Sequence, residues 1–302
     1  MTQRPLHVRL GWTLREYAKR VWDNSGEDNV FFLAGGIAFN ILLAAVPFVL
    51  LLVSGIAYFL NQSPDASSAE VSALVGRLLP QGSAASARFV NELLTDVVKA
   101  AGAVGVWSAI TFAWFTTRLF GSLRSVLADV FDIEQDRGII EGKLFDIRLT
   151  LIATLLIVAY TALSAYLAVA TTRGIAVLRA TGLRESVMGK VEYSVGRFVA
   201  FGFITLMFFA LFKFLPKRRI RWQTALVAAL FTSVLFELAR NLFTAYVQSF
   251  NPGSLYTGTI AALVILVFWV YYAALIFILG GEVGRVYELR RVRRLQREAL
   301  ED

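Results

Sequence analysis

Six long apolar stretches constrain this 302-residue chain more than any motif it contains. A bilayer core is about 30 Å thick, so a helix needs roughly 20 apolar residues to cross it. The alternating pattern of short strands that is typical of an outer-membrane barrel is absent. The sequence therefore predicts an all-α, polytopic membrane protein with six transmembrane helices. The predicted spans are 31–60, 101–120, 144–170, 198–214, 224–248 and 258–280.

The segments outside these spans predict further helices. In the stretch 1–30, apolar residues recur on one helical face, which is typical of an interfacial amphipathic helix on the cytoplasmic surface. Two more amphipathic patterns predict an external helical hairpin at about 66–100. Glycines in the third connection, of which Gly189 is the last, predict breaks between short helices. We expect a transmembrane domain over 31–284 and a basic cytoplasmic tail over 285–302.

Lysine and arginine are distributed unevenly around the predicted spans. The N-terminal stretch, the second and fourth connections and the C-terminal tail together hold 21 of them, whereas the other three connections hold eight. The side with the excess is cytoplasmic under the positive-inside rule. We therefore expect a multi-pass protein with both termini in the cytoplasm.

The net charge of +8 has two possible meanings. A basic surface can attract nucleic acid, but it can also bind the anionic headgroups of a membrane. The second meaning fits better, because most of the excess lies beside predicted membrane ends. We therefore expect membrane lipids as partners and no nucleic acid.

The fifth span contains a polar stripe. Its members are Glu237, Arg240, Asn241 and Thr244, whose spacing of three, four and seven residues places them on one helical face. A charge at the middle of a bilayer costs several kcal/mol unless it is paired or wetted, so the stripe must face protein or water. Two interpretations remain open: an ion pair that fixes helix packing, or the lining of a cavity for a charged or amphiphilic substrate.

Other polar residues could line the same cavity. Asn40 lies in the first span, seven residues before Pro47, which is expected to kink that helix because proline lacks an N–H and its ring clashes with the preceding turn. Arg118 and Arg124 lie near the cytoplasmic end of the second span, where they could attract a phosphate headgroup.

The last span predicts close packing. Gly280 and Gly284 form a pair of small residues one helical turn apart, which allows two helix backbones to approach each other. Faces of this kind allow a homo-oligomer without requiring one. Trp269, Tyr271 and Tyr272 lie well inside the span, so we expect them in a core or cavity rather than at the headgroups.

The residues for common enzyme chemistry are mostly missing. The chain has no cysteine, which excludes thiol nucleophiles, and its only histidine, His7, cannot form a metal site that needs several histidines and lies in the basic interfacial stretch, where we expect a surface residue. Asp129, Asp132 and Asp136 would share a helical face, as carboxylates that bind Mg²⁺ would require. Such charge runs beside a membrane helix are usually solvated, so we predict no enzyme activity, no cofactor and no metal site.

Several short blocks carry a family resemblance. They are Ala34-Gly-Gly-Ile-Ala-Phe-Asn40, Ala44-Ala-Val-Pro47, Gly121-Ser-Leu-Arg-Ser125, Phe214-Leu-Pro-Lys-Arg-Arg-Ile-Arg-Trp222, Glu237-Leu-Ala-Arg-Asn-Leu-Phe-Thr-Ala-Tyr246, Leu255-Tyr-Thr-Gly258, Phe268-Trp-Val-Tyr271 and Leu279-Gly-Gly-Glu282. In this order and spacing, over about residues 31–282, the chain resembles the YihY/BrkB family of bacterial inner-membrane proteins. It departs from the usual family pattern at Lys217, Thr257 and Gly281.

The resemblance implies six helices with cytoplasmic termini in the bacterial inner membrane, and it adds Tyr256 to the predicted substrate pathway. Members of the family have carried an old label as ribonuclease BN, for which this sequence gives no chemical reason. They have also been linked to envelope integrity, serum resistance and the export of lipid precursors.

These observations lead to three functional hypotheses. The first is a transporter or flippase for an anionic amphiphile such as an envelope lipid, with the stripe of the fifth span as its polar route. The second is a non-transporting membrane scaffold for envelope integrity, which recruits partners through its amphipathic segments and basic tail. The third and least favoured is a metal-dependent membrane hydrolase built on the acidic cluster of the second connection.

Overall fold

The chain is helical throughout the part that the structure describes. The structure is a computed structural model, and it describes residues 6–60, 105–133, 141–142, 144–145, 147–149, 152, 185–218, 220–250 and 259–301. The all-α prediction is confirmed for these residues, which contain no strand. Six long helices run through them: α1 (Leu6–Glu27), α2 (Val30–Leu60), α3 (Gly105–Val130), α4 (Glu185–Phe214), α5 (Trp222–Phe250) and α6 (Thr259–Glu301).

Two of these helices are long and apolar enough to cross a membrane. The candidate spans are Trp222–Tyr246 in α5 and Leu263–Leu300 in α6. The bent pair formed by α1 and α2 would be a third if it counts as one broken span. The full set of six spans stays a prediction, because most of the third span and the whole hairpin at 66–100 lie outside the described residues.

Helix α4 shows that one predicted break is wrong. The helix is continuous from Glu185 through Gly189 to Phe214, whereas the glycine pattern predicted separate short helices. A single glycine costs a helix only about 1 kcal/mol relative to alanine, and the remainder of this segment favours helix strongly enough to continue through it.

A sharp bend separates α1 from α2. Asn29 adopts a left-handed backbone conformation with φ 50°, which asparagine tolerates better than most residues. The N–H groups of Phe32 and Leu33 then bond to the Asn29 carbonyl at 2.9 and 3.1 Å and begin the next helix. The two helices meet at 68°, with the side chains of Trp22 and Phe32 exposed. This angle suits a first helix that lies along a membrane surface while the second enters it.

Helix α6 is the centre of the packed structure. It contacts α1, α2, α3 and α5, and α5 in turn contacts α4. The rings of Phe212 in α4 and Phe277 in α6 stack with centroids 4.9 Å apart. Leu127 from α3 and Ile37 from α2 are completely or almost completely buried in the same apolar cluster.

The approach of α5 to α6 depends on small residues. A Cβ atom added to Gly280 would lie 1.8 Å from Thr232 Oγ1, and one added to Gly284 would lie 3.1 Å from the Cβ of Ala228. The prediction of close packing at this glycine pair is therefore confirmed. Because α5 of the same chain occupies this face, the pair is already used within the monomer, and the homo-oligomer stays a prediction.

The end of α3 corrects the predicted geometry of the acidic cluster. Asp132 adopts φ 49°, and the bonds Ile133 N–H to Ala128 C=O and Asp132 N–H to Asp129 C=O, at 2.8 and 3.2 Å, form a Schellman cap. The helix ends at Val130, so Asp132 does not continue the helical face of Asp129 as predicted. The third predicted member, residue 136, lies outside the described residues.

Four basic regions of the chain meet at one end of the helices. They are α1, the end of α3, the turn between α4 and α5, and the C-terminal half of α6. The ion pairs that join them are Arg290 with Glu16 (3.7 Å), Arg218 with Glu288 (3.6 Å) and Arg285 with Asp132. These are the same four regions that hold most of the lysine and arginine, and the assignment of their side to the cytoplasm stays a prediction.

Candidate functional site

The polar stripe of α5 contains a partly buried ion pair. Arg240 Nη2 lies 2.8 Å from Glu237 Oε1, and the two side chains are 28% and 19% exposed. The three-residue spacing within the helix brings the two groups together without any rearrangement. Both residues lie between the midpoint of α5 and the last turn of its candidate span, so the pair is at membrane depth if α5 crosses the bilayer.

The other two residues of the stripe lie between the buried face and the exposed face of α5. Asn241 is exposed and Thr244 is half-buried. Leu238 and Leu242 flank Asn241 and are 51% and 62% exposed. The polar side chains therefore run along the line where the buried face of α5 meets an apolar outer face.

An aromatic cluster lies beside the stripe. The ring of Trp269 in α6 is 5.3 Å from that of Phe236 and 5.4 Å from that of Phe243, measured between centroids. Trp269 is buried, as predicted, and Tyr271 is half-buried. Tyr272 is 44% exposed and therefore does not lie in the core, and its place in a cavity stays a prediction.

The predicted residues of α2 have contacts within that helix. Asn40 Nδ2 donates to the Gly36 carbonyl at 2.9 Å, one turn earlier. Pro47 is buried, and α2 is helical on both sides of it. The amide of Asn40 is thus held by its own helix, and the kink at Pro47 stays a prediction.

The two predicted arginines of α3 differ in their surroundings. Arg118 is exposed, whereas Arg124 is half-buried and donates to the Gly142 carbonyl at 3.3 Å. Tyr256 lies outside the described residues. Among the predicted pathway residues that the structure describes, Glu237 and Arg240 are the pair that it joins directly.

A second polar cluster, which was not predicted, lies where α1 meets α6. Glu282 of α6 is completely buried, and its Oε2 atom accepts a hydrogen bond of 3.4 Å from Asn24 Nδ2 of α1. Asp28, the first residue after α1, lies close enough to Glu282 for the two carboxyl groups to interact. Two carboxyl groups therefore meet where the end of α1 approaches α6, and that of Glu282 is closed to solvent while that of Asp28 is 19% exposed.

Arg285 links this cluster to two other carboxylates. Its Nη1 atom lies 2.9 Å from Asp28 Oδ2, and its Nη2 atom bonds to Asp132 beyond the end of α3. The forked guanidinium can donate to both partners at once, which an ammonium group cannot do in this geometry. We call Asn24, Asp28, Asp132, Glu282 and Arg285 the α1–α6 cluster.

Asp129 adds negative charge beside the cluster. Asp129 is exposed, but partial loss of hydration raises the pKa of its carboxyl group, and the nearby charge of Asp28 raises it further. Within the described ranges, no three acidic or histidine side chains are arranged to hold a metal ion, and Asp132 is bonded to Arg285 instead. The arrangement can hold protons and share them between carboxyl groups.

The α1–α6 cluster was missed because its members are far apart in sequence. Glu282 lies just beyond the apolar stretch of the last predicted span, so hydropathy does not mark it. One signal could have found it: a carboxylate placed between Gly281 and Gly284, whose small size brings neighbouring helices close enough to bury it.

Comparison with known proteins gives a consistent result. The sequence profile of the family described as "Virulence factor BrkB" matches residues 21–301. No solved structure gives a significant match.

Several relatives carry the name "UPF0761 membrane protein". One from Pelodictyon phaeoclathratiforme is 25% identical over 91% of this chain and 60% of its own length. Another from Chlorobium chlorochromatii is 27% identical over 84% of this chain and 56% of its own length. A third from Pseudoalteromonas atlantica is 26% identical over 87% of this chain and 82% of its own length. This chain thus spans less than two thirds of the first two relatives. Because the family profile covers nearly the whole chain, the protein is a membrane protein that belongs to the BrkB family, as its sequence blocks predicted.

Proposed function

We propose that this protein is a transporter or flippase that moves an anionic amphiphile, such as an envelope lipid, across the bacterial inner membrane. The observation that carries the proposal is the partly buried Glu237–Arg240 pair in a candidate membrane span. Ionisable groups inside a membrane are costly, and they often line substrate pathways.

The pair offers a way to exchange partners. Arg240 donates to Glu237 at 2.8 Å in the structure, and a guanidinium can instead bind a phosphate with two parallel hydrogen bonds. An anionic headgroup would compete with Glu237 for Arg240. The arginine would then never be left without a counter-charge during passage.

The surface beside the pair suits the remainder of an amphiphile. Leu238, Leu242 and Tyr246 are all more than half exposed along α5 and could contact acyl chains. Asn241 is exposed between the first two and could donate to the headgroup. A lipid could therefore keep its polar part on the stripe and its chains on the apolar face. Arg118, which is exposed on α3, would attract the headgroup at the basic end of the helices.

The test is translocation of labelled anionic phospholipids in proteoliposomes. We expect faster movement with the wild type than in empty liposomes, and loss of the excess rate in Glu237→Ala and Arg240→Ala. The matched control is Arg294→Ala, which removes another 2.8 Å ion pair, with Glu298, on the exposed part of α6. Well-inserted wild type that moves no anionic phospholipid would refute the proposal.

The scaffold remains the second candidate because of the length of α6. At 43 residues this helix is about 65 Å long, roughly twice the thickness of a bilayer core, and residues 292–300 are all exposed. A basic helix that projects from the membrane is suited to binding a partner. Loss of envelope integrity on truncation after residue 290, together with no lipid movement by the wild type, would favour the scaffold.

A metal-dependent hydrolase is the least supported alternative, and we infer that the protein is not an enzyme. Asp132 already bonds to Arg285, so a metal ion would have to displace a guanidinium. Heat released on addition of Mg²⁺, and lost in Asp132→Asn, would contradict this inference.

We also propose that both termini face the cytoplasm. The four basic regions meet at one end of the helices, and that end would face the anionic cytoplasmic leaflet. The chain has no cysteine, so single cysteines introduced at Asp23 and Gln296 can be labelled without background. Labelling of either site by a membrane-impermeant reagent added outside intact cells would contradict the orientation.

A further inference from the structure

We propose that the α1–α6 cluster is a proton-binding site, in which Asp28 and Glu282 share one exchangeable proton. The inference concerns a site outside the α5 stripe and holds whether or not the protein moves lipid. It places the proton at the contact between the predicted surface helix and the central helix of the fold.

The geometry of Glu282 requires a counter-charge or a proton. The side chain is completely buried, and its Oε1 atom has no hydrogen-bond partner among the described residues. Its other oxygen accepts one long bond from the neutral amide of Asn24. A buried carboxylate with so few donors is strongly disfavoured, so a protonated carboxyl group is the more stable form.

The partner for that proton is Asp28. The two carboxyl groups lie close enough to interact, and a direct contact between two carboxyl groups is favourable only when one of them donates a proton to the other. Asp28 is the better acceptor, since Arg285 donates to its Oδ2 atom at 2.9 Å and stabilises the negative charge there. The proton would therefore reside on Glu282 and point towards Asp28.

The surrounding charges favour a proton over a larger cation. The charged groups that face the site are Asp28 from α1, Asp129 and Asp132 from the end of α3, and Arg285 from α6. The guanidinium already occupies the position between two of the carboxylates. Calcium needs at least six oxygen ligands and magnesium needs octahedral coordination, whereas a proton fits between two carboxyl groups without moving them.

Proton release would act on the contact between helices. Loss of the proton would leave two carboxylates from α1 and α6 facing each other with Arg285 as the nearest cation, and like charges in a buried site repel. The chain bends at Asn29, between α1 and α2, so movement of α1 away from α6 would occur about this bend. The protonation state would in this way be linked to the position of α1.

The experiment is infrared spectroscopy of the full-length protein in lipid nanodiscs, titrated from acidic to alkaline pH. We expect a carbonyl band of a protonated carboxyl group that changes with pH, complete loss of that change in Glu282→Gln, and a shift of the band in Asp28→Asn, where an amide replaces the accepting carboxylate. Asp23→Asn, which removes an exposed carboxylate of the same helix, should keep it. Gln at 282 can donate to Asp28 as the protonated acid does, so this variant is expected to fold.

Isotope labelling provides a second readout that needs no variant. Labelling of glutamate carboxyl carbons should shift the band, because the proton resides on Glu282, and labelling of aspartate should perturb it less. Absence of a titrating carboxyl band in the wild type, a band that persists in Glu282→Gln, or a band that is unchanged in Asp28→Asn, would overturn the proposal. Neither result depends on lipid translocation.

Discussion

Substitution of Gly280 by alanine tests the packing of α5 against α6 most sharply. The added Cβ would lie 1.8 Å from Thr232 Oγ1, whereas ordinary contacts begin at 3.4 Å, so one group must move by about 1.6 Å. The hydroxyl cannot move freely, because it donates to the Ala228 carbonyl at 2.7 Å. Overpacking of this kind costs about 1–3 kcal/mol, and the higher helix propensity of alanine offsets about 1 kcal/mol. Because the overlap is about 1.6 Å, the overpacking cost should lie at the upper end of this range, and we expect a net loss of about 2 kcal/mol in the free energy of unfolding.

The assay is reversible unfolding of the purified protein in detergent, as a double-mutant cycle with Thr232→Ala. Removal of the hydroxyl makes room for the new methyl group, so the double variant should recover stability, with a coupling energy of about 0.5–3 kcal/mol. Gly202→Ala is the matched control, because a Cβ at that position of α4 meets nothing within 4 Å. A Gly280→Ala variant as stable as the wild type, or no coupling with Thr232→Ala, would refute the close approach of the two helices.

Three further predictions concern the contacts around α1 and α6. Arg285→Lys should lower the free energy of unfolding by about 1 kcal/mol, because lysine cannot keep the bonds to Asp28 and the exposed Asp132 together. Chemical denaturation measures this loss, and an unchanged midpoint would contradict the bridging role of Arg285. Tyr17→Phe removes a hydroxyl that donates to the Val283 carbonyl but keeps the ring under a nearby guanidinium, so it should cost about 0.5–1.5 kcal/mol by the same assay. A larger loss would mean that the ring has moved as well. Asp129→Asn should stabilise the protein at neutral pH. The folded-state pKa of this acid is raised above its unfolded value, so the wild type loses stability as the pH rises from the unfolded to the folded pKa, whereas asparagine does not ionise and loses none. The gain should vanish in acid, and a gain that grows as the pH falls would reverse the sign of the argument.

Some of the site could be predicted from spacing alone. Residues three and four apart on a helix must be neighbours, so the sequence was sufficient to place Glu237 beside Arg240. The same periodicity identified Gly280 and Gly284 as a packing face. Features of this kind depend on a single helix, and they need no knowledge of which helices meet.

The α1–α6 cluster could not be predicted in this way, because it depends on tertiary contacts. Asn24 and Glu282 are 258 residues apart, and no pattern within either helix indicates the other. The turn at Asp132 was missed for a different reason: a left-handed residue at the end of a helix is usually glycine, and aspartate gives a weaker signal. That turn ends the helix and brings Asp132 to Arg285. The predicted helical face of acidic residues does not extend through it.

The measurement that tests the central claim most directly is anionic lipid translocation by the charge-swapped variant Glu237→Arg/Arg240→Glu. The swap keeps an ion pair at the same spacing, so a pair that only fixes helix packing would work equally well in either order. We predict that the swapped protein inserts and unfolds like the wild type but loses the excess translocation rate, because the arginine no longer lies at position 240. A swapped variant that moves lipid at the wild-type rate would show that the pair serves packing alone, and would contradict the account.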